Sequence, residues 1–375
     1  MPAERVSRSR LLSLLSEACE VEHGLACSYL YAAFSLKRGQ ADGLTFAQEQ
    51  KVRRWASDIL FVATQEMLHL AQAWNLLQAV GGTPYHLHPP FPVERAVAPI
   101  PVRMSLEGFS PATLRRFMAW ERPMDPADTG EPITTVGELY DEIDQLIASL
   151  PESTLFVTDP ALQVGPDLAD FPDLIPVIDR RSARNAIARI REQGEGRLGN
   201  HDDCHFSIFR NLRAALDAEQ KADPSFAPAH AVVPNPTHRP YPGAKVVTDP
   251  SARRLMELFN DIYGLAMRVL AWIFGNVGPT TPHSRLFARF GSVVMPVVLR
   301  PLGELIMRVP SGIPGQNAGP SFSMARHVPL PDDASVAQRL VTERTRELAA
   351  DLDAAGGEAR VLARALARLG SPFEG

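Results

Sequence analysis

Residues 58–77 read DILFVATQEMLHLAQAWNLL. This stretch contains no Gly or Pro, and its apolar residues recur at steps of three and four, so it predicts a helix with one buried stripe. Glu66 lies inside that stripe, and His69 faces the same side one turn later. Burying a carboxylate and an imidazole on one core face is costly unless a partner compensates for the lost water. A metal ion is a partner that suits both side chains.

The composition is that of an ordinary globular protein. The chain has 375 residues, of which 45% are hydrophobic and 22% are charged, enough for one large domain or two ordinary ones. A formal net charge of -5 and the lack of a long Lys/Arg run argue against a nucleic-acid partner. The cysteines Cys19, Cys27 and Cys204 are too few and too scattered for a disulfide framework or a cysteine-based zinc site, which suits a reducing compartment.

We expect neither a targeting segment nor a membrane span. Three Arg residues followed by Leu11–Leu15 imitate a secretory signal, but Glu17, Glu20 and Glu22 interrupt the apolar run. The most apolar later stretch, residues 293–299, is far shorter than the roughly 20 residues that span a bilayer. The sequence therefore predicts a cytoplasmic protein without a membrane partner.

Helical patterns follow one another along the chain, separated by loops rich in Pro and Gly. They predict helices at residues 10–37, 45–80, 111–120, 136–150, 181–191, 201–220, 251–274, 284–308 and 335–370, the last broken at Gly356 and Gly357. The first two should be antiparallel neighbours. The Pro-rich segments 84–101 and 222–250 are too long for simple connectors, and we expect them to wall a substrate pocket.

Ligand-type residues fall on or beside the core-facing stripes of these helices. The set is Glu22, Glu66, His69, Glu195, Asp202 and His205. Two pairs, Glu66 with His69 and Asp202 with His205, have the acidic-x-x-His spacing that helical bundles use to hold pairs of metal ions. A single acidic-x-x-His motif is a weak signal for a metal site. A second buried carboxylate, at Glu22, strengthens that signal. Carboxylates and imidazoles without thiolates suit iron or manganese, and also zinc or copper, better than calcium or magnesium.

Several short strings, taken in order, resemble one family. They are VEH at 21–23 with YL at 29–30, EMLH at 66–69, NLL at 75–77, GGTP at 81–84, QGEG at 193–196 and HF at 205–206. Together they resemble the ferritin-like domain of the iminophenylpyruvate dimer synthases, which belong to bacterial biosynthesis of the violacein and rebeccamycin type. The resemblance covers about residues 10–325. It implies a helical ferritin-like fold and an oxidative, metal-dependent role in specialised metabolism.

Two departures limit what the resemblance implies. With 375 residues, the chain is without the additional large region of the long dimer synthases, so coupling of indole-pyruvate imines is not the expected reaction. Gln65 stands where the family often has a second Glu, which leaves one carboxylate fewer beside Glu66. Since Glu195 and Asp202 could share one interrupted helix, the number of metal ions, one or two, stays open.

Four other histidines have alternative interpretations. His23 is offset from Glu22 on its helix, so we expect it to support the site rather than to bind the metal. His201 follows Gly-Asn and is expected to cap a helix start. His86 and His88 alternate as on an extended segment, where they line an entrance or face water, and we expect the surface.

We predict an all-α protein, a ferritin-like helical bundle with long Pro-rich loops and additional C-terminal helices. Residues 1–330 would form the metal-binding domain and residues 331–375 a helical extension. The expected function is that of a metal-dependent oxidoreductase or oxygenase with one or two iron ions, which acts with dioxygen on a small amino-acid-derived or aromatic intermediate. A metal-storage protein and a scaffold or partner subunit with a decayed site are the alternatives. Apolar helical faces in the C-terminal half suggest a homodimer.

Overall fold

The computed structural model describes residues 7–93, 104–122, 135–194, 203–276, 281–324 and 328–374. Its α-helices are α1 (Arg8–Ser35), α2 (Phe46–Ala79), α3 (Pro111–Trp120), α4 (Val136–Ser149), α5 (Glu152–Leu155), α6 (Pro166–Ala169), α7 (Arg180–Gly194), α8 (His205–Ala222), α9 (Pro250–Asn276), α10 (Pro282–Val294), α11 (Arg300–Ile306), α12 (Ala334–Ala355) and α13 (Ala359–Gly370). Two-residue strands, β1 (Pro236–Thr237) and β2 (Lys245–Val246), pair in parallel. The predicted helical fold is confirmed.

The helix α2 begins and ends at sequence signals. Thr45 and Gln48 form a capping box at its start, each side chain meeting the backbone N–H of the other residue. At its end, Gly81 has a φ of 92°, the left-handed conformation that closes many helices. A Cβ on Gly82 would stand 3.0 Å from the side chain of Leu12, so the end of α2 lies beside the start of α1. The two helices are therefore antiparallel neighbours, as predicted.

The chain divides into two compact units. The first comprises Met1–Pro160 with Ile175–His230, and the second comprises Ala161–Leu174 with Ala231–Gly375. Each unit is thus assembled from two separate segments of the chain. The domain assignment made from the sequence, residues 1–330 and 331–375, stays a prediction.

In the first unit, α1 and α2 form the central pair of helices. The helix α4 packs against α1 and α7, and α3 packs against α8. Three buried aromatic rings join α1, α3 and α8, because Tyr29, Phe117 and Phe209 have ring centroids 4.6, 4.9 and 5.0 Å apart. This packing fixes residues from α1, α2, α3 and α8 around one point of the core.

The second unit contains the short helix α6, the helices α9 to α13 and the β1–β2 pair. One helical stretch in it, Pro282–Ile306, is long and apolar enough to cross a membrane by length and composition alone. Half of the window that passes this test, 50%, is buried within the protein, which is also usual for a core helix of a soluble protein. A π-helical turn, Met295–Leu299, interrupts this stretch at Pro296.

Candidate metal centre

Four of the predicted ligand residues meet in the core of the first unit. Glu22 lies midway along α1, Glu66 and His69 lie one turn apart on α2, and His205 is the first residue of α8. All four side chains are buried, with at most 2% of each residue exposed. The sequence places them on the core side because each continues an apolar stripe of its helix.

The two oxygens of the Glu66 carboxylate face two different histidines. Oε2 lies 3.0 Å from Nδ1 of His69, and Oε1 lies 2.9 Å from Nδ1 of His205. The two imidazole rings are stacked, with centroids 5.5 Å apart. Glu66 therefore stands between two half-sites, which we call the His69 half and the His205 half.

Each half contains a further carboxylate, and the one in the His205 half, Glu121, is missing from the predicted set. Its Oε2 lies 3.5 Å from Nδ1 of His205, much as Oε2 of Glu22 lies 3.6 Å from Nδ1 of His69. Glu121 follows α3 directly and is buried. A signal for it does exist in the sequence, since it comes four residues after the buried Phe117 and so continues the stripe of α3. The ligand atoms within each half lie within 4.8 Å of one another, so each half could hold a metal ion.

The two outer carboxylates each accept a hydrogen bond from a buried tyrosine. The hydroxyl of Tyr140, on α4, donates to Oε1 of Glu22 at 2.7 Å. The hydroxyl of Tyr29, on α1, donates to Oε1 of Glu121. In both carboxylates the other oxygen, Oε2, is the one that faces a histidine. The tyrosines therefore orient the two carboxylates towards the middle of the site.

Each histidine is held at its far nitrogen by a glutamine. Nε2 of His69 lies 2.9 Å from Oε1 of Gln193, and Nε2 of His205 lies 3.0 Å from Oε1 of Gln65. Because an amide oxygen only accepts hydrogen bonds, Nε2 carries a proton in both rings. In a neutral imidazole the lone pair is then on Nδ1, the nitrogen that faces Glu66. This is the orientation that a partner behind a metal-binding histidine produces.

Burial and mutual charge set the protonation of the cluster. Burial, followed by the nearby Glu66 carboxylate, raises the pKa of Glu22 to about 8. Burial opposes the ionised form of Glu66 as well, but His205 and His69 outweigh it and hold the pKa of Glu66 well below its usual range. Burial likewise opposes the charged form of His205, yet Glu66 and Glu121 raise its pKa to about 9. Protons on the histidines thus occupy the positions that a metal ion would take.

The polar atoms at the centre fit a metal ion better than they fit one another. Among the described residues, Oε2 of Glu22, Oε1 of Glu66 and Nδ1 of His205 are buried and make no hydrogen bond. The last two atoms are close in distance, but their approach lacks hydrogen-bond geometry. Buried polar atoms normally have partners. Carboxylate oxygens and imidazole nitrogens are donors that iron, manganese and zinc accept, so the residues fit a transition-metal site.

Two predicted ligands, Glu195 and Asp202, lie outside the described residues, as does His201. The helix α7 ends at Gly194, immediately before Glu195, and α8 begins at His205. The assignment of Glu195 and Asp202 as ligands and that of His201 as a helix cap stay predictions.

The expectation that both His86 and His88 face water is wrong for His86. His86 is only 4% exposed, and His88 is half-buried. The segment after α2 that contains them is held to the protein by the indole N–H of Trp74, which donates to the carbonyl oxygen of Tyr85 at 2.9 Å. The ring of His88 also contacts the ring of His23 on α1. The segment therefore lies along α1, and His86 is buried within it.

This helical arrangement and its buried carboxylates and histidines match a known family. A family model described as ferritin-like matches residues 15–214, which is more than half of the 375 residues. The chain belongs to the ferritin-like family. Every described residue of the candidate metal centre in this ferritin-like protein, from Glu22 to His205, falls within the matched range.

Two curated relatives are named as enzymes. The chain is 28% identical to the dichlorochromopyrrolate synthase of Lentzea aerocolonigenes, in a match that covers 92% of this chain and 38% of that protein. It is 29% identical to the 2-imino-3-(indol-3-yl)propanoate dimerase of Chromobacterium violaceum, with coverage of 92% and 37%. The resemblance seen in the sequence motifs is thereby confirmed. The chain spans a little over a third of the length of these relatives.

A solved structure shows the same fold. It is the crystal structure of a ferritin-like protein from Caulobacter vibrioides, which is 19% identical to this chain and superposes with a TM-score of 0.53. The match covers 84% of this chain and 98% of that one. At this level of identity the likeness concerns the fold alone.

Proposed function

We propose that this ferritin-like protein is a metal-dependent oxidoreductase with two non-haem iron ions. It would act with dioxygen on a small aromatic or amino-acid-derived intermediate of specialised metabolism. The observation that supports this best is the arrangement around Glu66, which presents one oxygen to each of two buried histidines. A carboxylate so placed is suited to bridge two ions, as in the carboxylate-bridged helical bundles. Manganese has similar ligand preferences and is the alternative metal.

The residues of the chain have distinct roles in this proposal. Glu22 and His69 would hold one ion together with Glu66, and Glu121 and His205 would hold the other together with Glu66. Iron bound there would supply the binding of dioxygen and the change of oxidation state. The five side chains provide three carboxylates against two divalent ions, which leaves room for an exogenous ligand to balance the charge.

The residues behind the ligands would control orientation and protons. Tyr140 holds a proton at Oε1 of Glu22, and Tyr29 holds one at Oε1 of Glu121. These hydroxyls are buried, so bulk water does not compete with them at the carboxylates. A dry site of this kind strengthens every charge interaction inside it. The chain therefore provides a site in which protons are delivered at defined atoms.

The substrate class is proposed from the names of the two relatives. One makes dichlorochromopyrrolate, and the other dimerises a 2-imino acid with an indole side chain. Because the chain spans only a little over a third of their length, we carry over only the class, an aromatic 2-imino or 2-oxo acid derived from an amino acid. Coupling of two such molecules is not part of the proposal.

Metal content is the first test. Purified protein loaded anaerobically with ferrous iron should retain two ions per chain, and Glu66→Ala should retain none, because both halves lose their shared ligand. Glu49→Ala is a matched control, since Glu49 is also buried on α2 but pairs with Arg53 at 2.7 Å. Equal iron in the wild type and in Glu66→Ala would contradict the site. No iron in either protein would favour a scaffold subunit.

Oxygen consumption separates catalysis from storage. The iron-loaded protein should consume dioxygen faster when an aromatic 2-imino or 2-oxo acid is added, while its iron content stays at two ions per chain. Iron that accumulates far beyond this ratio in air, with no need for an organic substrate, would replace the proposal with a storage function. Glu66→Ala should abolish the substrate-dependent consumption, and Glu49→Ala should keep it.

A further inference from the structure

A second cluster of ligand-type side chains lies beside the candidate metal centre. It consists of His23, Cys27 and His88, which we call the thiol cluster. One imidazole nitrogen from each histidine and the thiol sulfur lie within 4.8 Å of one another. His23 and Cys27 are four residues apart on α1 and so share a helix face, and both are at most 2% exposed. His23 follows Glu22 directly and therefore points about 100° away from it around the helix.

The third member, His88, reaches α1 from the extended segment that follows α2. Trp74 anchors this segment at Tyr85, and the N–H of Val93 donates to the carbonyl oxygen of Met104 at 2.9 Å. The rings of His88 and His23 meet edge to face, with centroids 4.6 Å apart. Hydrogen bonds on both sides of His88 therefore hold the segment in place against the helix.

The backbone orients both imidazoles. Nδ1 of His88 lies 2.7 Å from the carbonyl oxygen of Pro89, which can only accept, so Nδ1 carries the proton and Nε2 of the neutral ring carries the lone pair. The backbone of His86 hydrogen-bonds to the ring of His23. Metal-binding histidines are almost always held in this way at the nitrogen that does not bind the metal.

The donors of the thiol cluster are softer than those of the centre around Glu66. The cluster combines one thiol with two imidazoles, and a second sulfur lies close by. Sδ of Met104 is 2.9 Å from the position that a Cβ on Gly24 would take, so it contacts the turn of α1 between His23 and Cys27. Only glycine permits so close an approach at this position without a shift of the methionine. A thiolate with two imidazoles selects zinc and copper over magnesium, calcium and manganese.

We propose that the thiol cluster is a second transition-metal site, for a zinc or copper ion. Binding would form one bond to Sγ of Cys27 and one to a nitrogen of each histidine, while the thiol proton of Cys27 is released to solvent and no oxidation state changes. The chain would then contain two centres of different preference, one with carboxylates for iron and one with sulfur for zinc or copper. This inference stands independently of the proposed oxidoreductase function.

Cobalt(II) is the probe for the proposed site, because a thiolate bound to it gives an intense charge-transfer band that carboxylate and imidazole ligands do not give. The protein should show this band, and in Glu66→Ala, which lacks the carboxylate centre, the band should saturate at one equivalent per chain. Cys27→Ser should lose the band, and His88→Gln should weaken cobalt binding at least tenfold. Cys19→Ser is the matched control, since Cys19 is a buried cysteine two turns earlier on α1 and lies outside the cluster. It should keep the band.

Further arms identify the metal and separate the two centres. Zinc added to the cobalt-loaded protein should remove the band. Copper(II) added to the metal-free protein should give its own thiolate band. The preferred metal is the one of these two that binds more tightly. Glu66→Ala should keep the cobalt band, because it removes only the carboxylate centre. No thiolate band in the wild-type protein, or an equal band in Cys27→Ser, would overturn the proposal. If Cys27→Ser fails to fold, His88→Gln and Cys19→Ser still decide whether the band belongs to the thiol cluster: an unchanged affinity in His88→Gln or a lost band in Cys19→Ser would overturn the proposal.

Discussion

Glu66 belongs to both halves of the candidate metal centre, and a histidine stands at each of its oxygens, at 3.0 and 2.9 Å. A buried carboxylate without a partner is strongly destabilising. Glu66 therefore has to be neutralised in every state of the folded protein, either by protons on His69 and His205 or by metal ions. Both a proton and a metal ion would occupy Nδ1, the nitrogen that each histidine presents to Glu66. The glutamine behind each histidine, at Nε2, fixes this orientation.

At the residue scale we expect Gln65→Leu to weaken metal binding in the His205 half by about 10- to 100-fold, the usual effect of removing the partner behind a metal ligand. Leucine cannot accept the proton on Nε2 of His205, so the ring loses the 3.0 Å contact that fixes its orientation. Anaerobic titration with ferrous iron, read by equilibrium dialysis, measures the weaker site. Gln50→Leu, at an exposed position of the same helix, serves as the control. Unchanged affinity in Gln65→Leu would contradict the assigned role.

Three helices meet at an aromatic cluster made of Tyr29, Phe117 and Phe209. The same helices position two ligands of the His205 half, because Glu121 follows α3 and accepts from Tyr29 of α1, and α8 begins at His205. The side chains of a packed interior transmit displacements, so a change in this cluster moves the ends of α3 and α8 relative to α1. Packing and metal binding are therefore coupled at the scale of these elements.

This coupling predicts a selective effect of Phe209→Leu. We expect it to lower the free energy of unfolding by about 1–3 kcal/mol, as for loss of part of a buried ring. It should also reduce iron binding in the His205 half, since α8 can shift into the space left by the ring. The matched control is Phe287→Leu, a fully buried phenylalanine of the second unit that packs on Trp272 at 4.7 Å. Denaturant unfolding and iron content should show similar destabilisation in both variants and lost iron only in the first. Equal iron content in Phe209→Leu and Phe287→Leu would contradict the proposed coupling.

The elements could be predicted from the sequence because helical periodicity is local. The sequence predicts the second helix at residues 45–80, and the structure has it at Phe46–Ala79, with Glu66 and His69 on its buried face. Glu121 escaped prediction because the Glu-Arg-Pro that follows this ten-residue helix resembles any ordinary helix end. Its role depends on a contact with His205, far along the chain. The burial of His86 was missed for the same reason, since it depends on which distant helix the segment covers.

At the scale of the whole chain, the two compact units use segments that alternate along the sequence. Ala161–Leu174 belongs to the second unit although segments of the first unit precede and follow it. Local patterns identify helices but do not specify which distant segments pack together, so this division is not readable from periodicity. The described residues of both proposed metal sites lie in the first unit. The expected homodimer stays a prediction.

Metal removal should therefore destabilise the unit that contains Glu66. A ligand that binds only the folded state adds stability by mass action, about 2.7 kcal/mol when its free concentration is 100 times Kd. Chelator-treated protein should unfold at a lower temperature than iron-loaded protein in a circular dichroism melt, and added ferrous iron should restore the difference. Glu66→Ala should melt at the same temperature with and without iron, because it lacks the shared ligand, whereas Glu49→Ala should keep the response. A wild-type melting temperature that does not respond to iron would show that the cluster is satisfied by its histidine protons alone and binds no iron in the folded state.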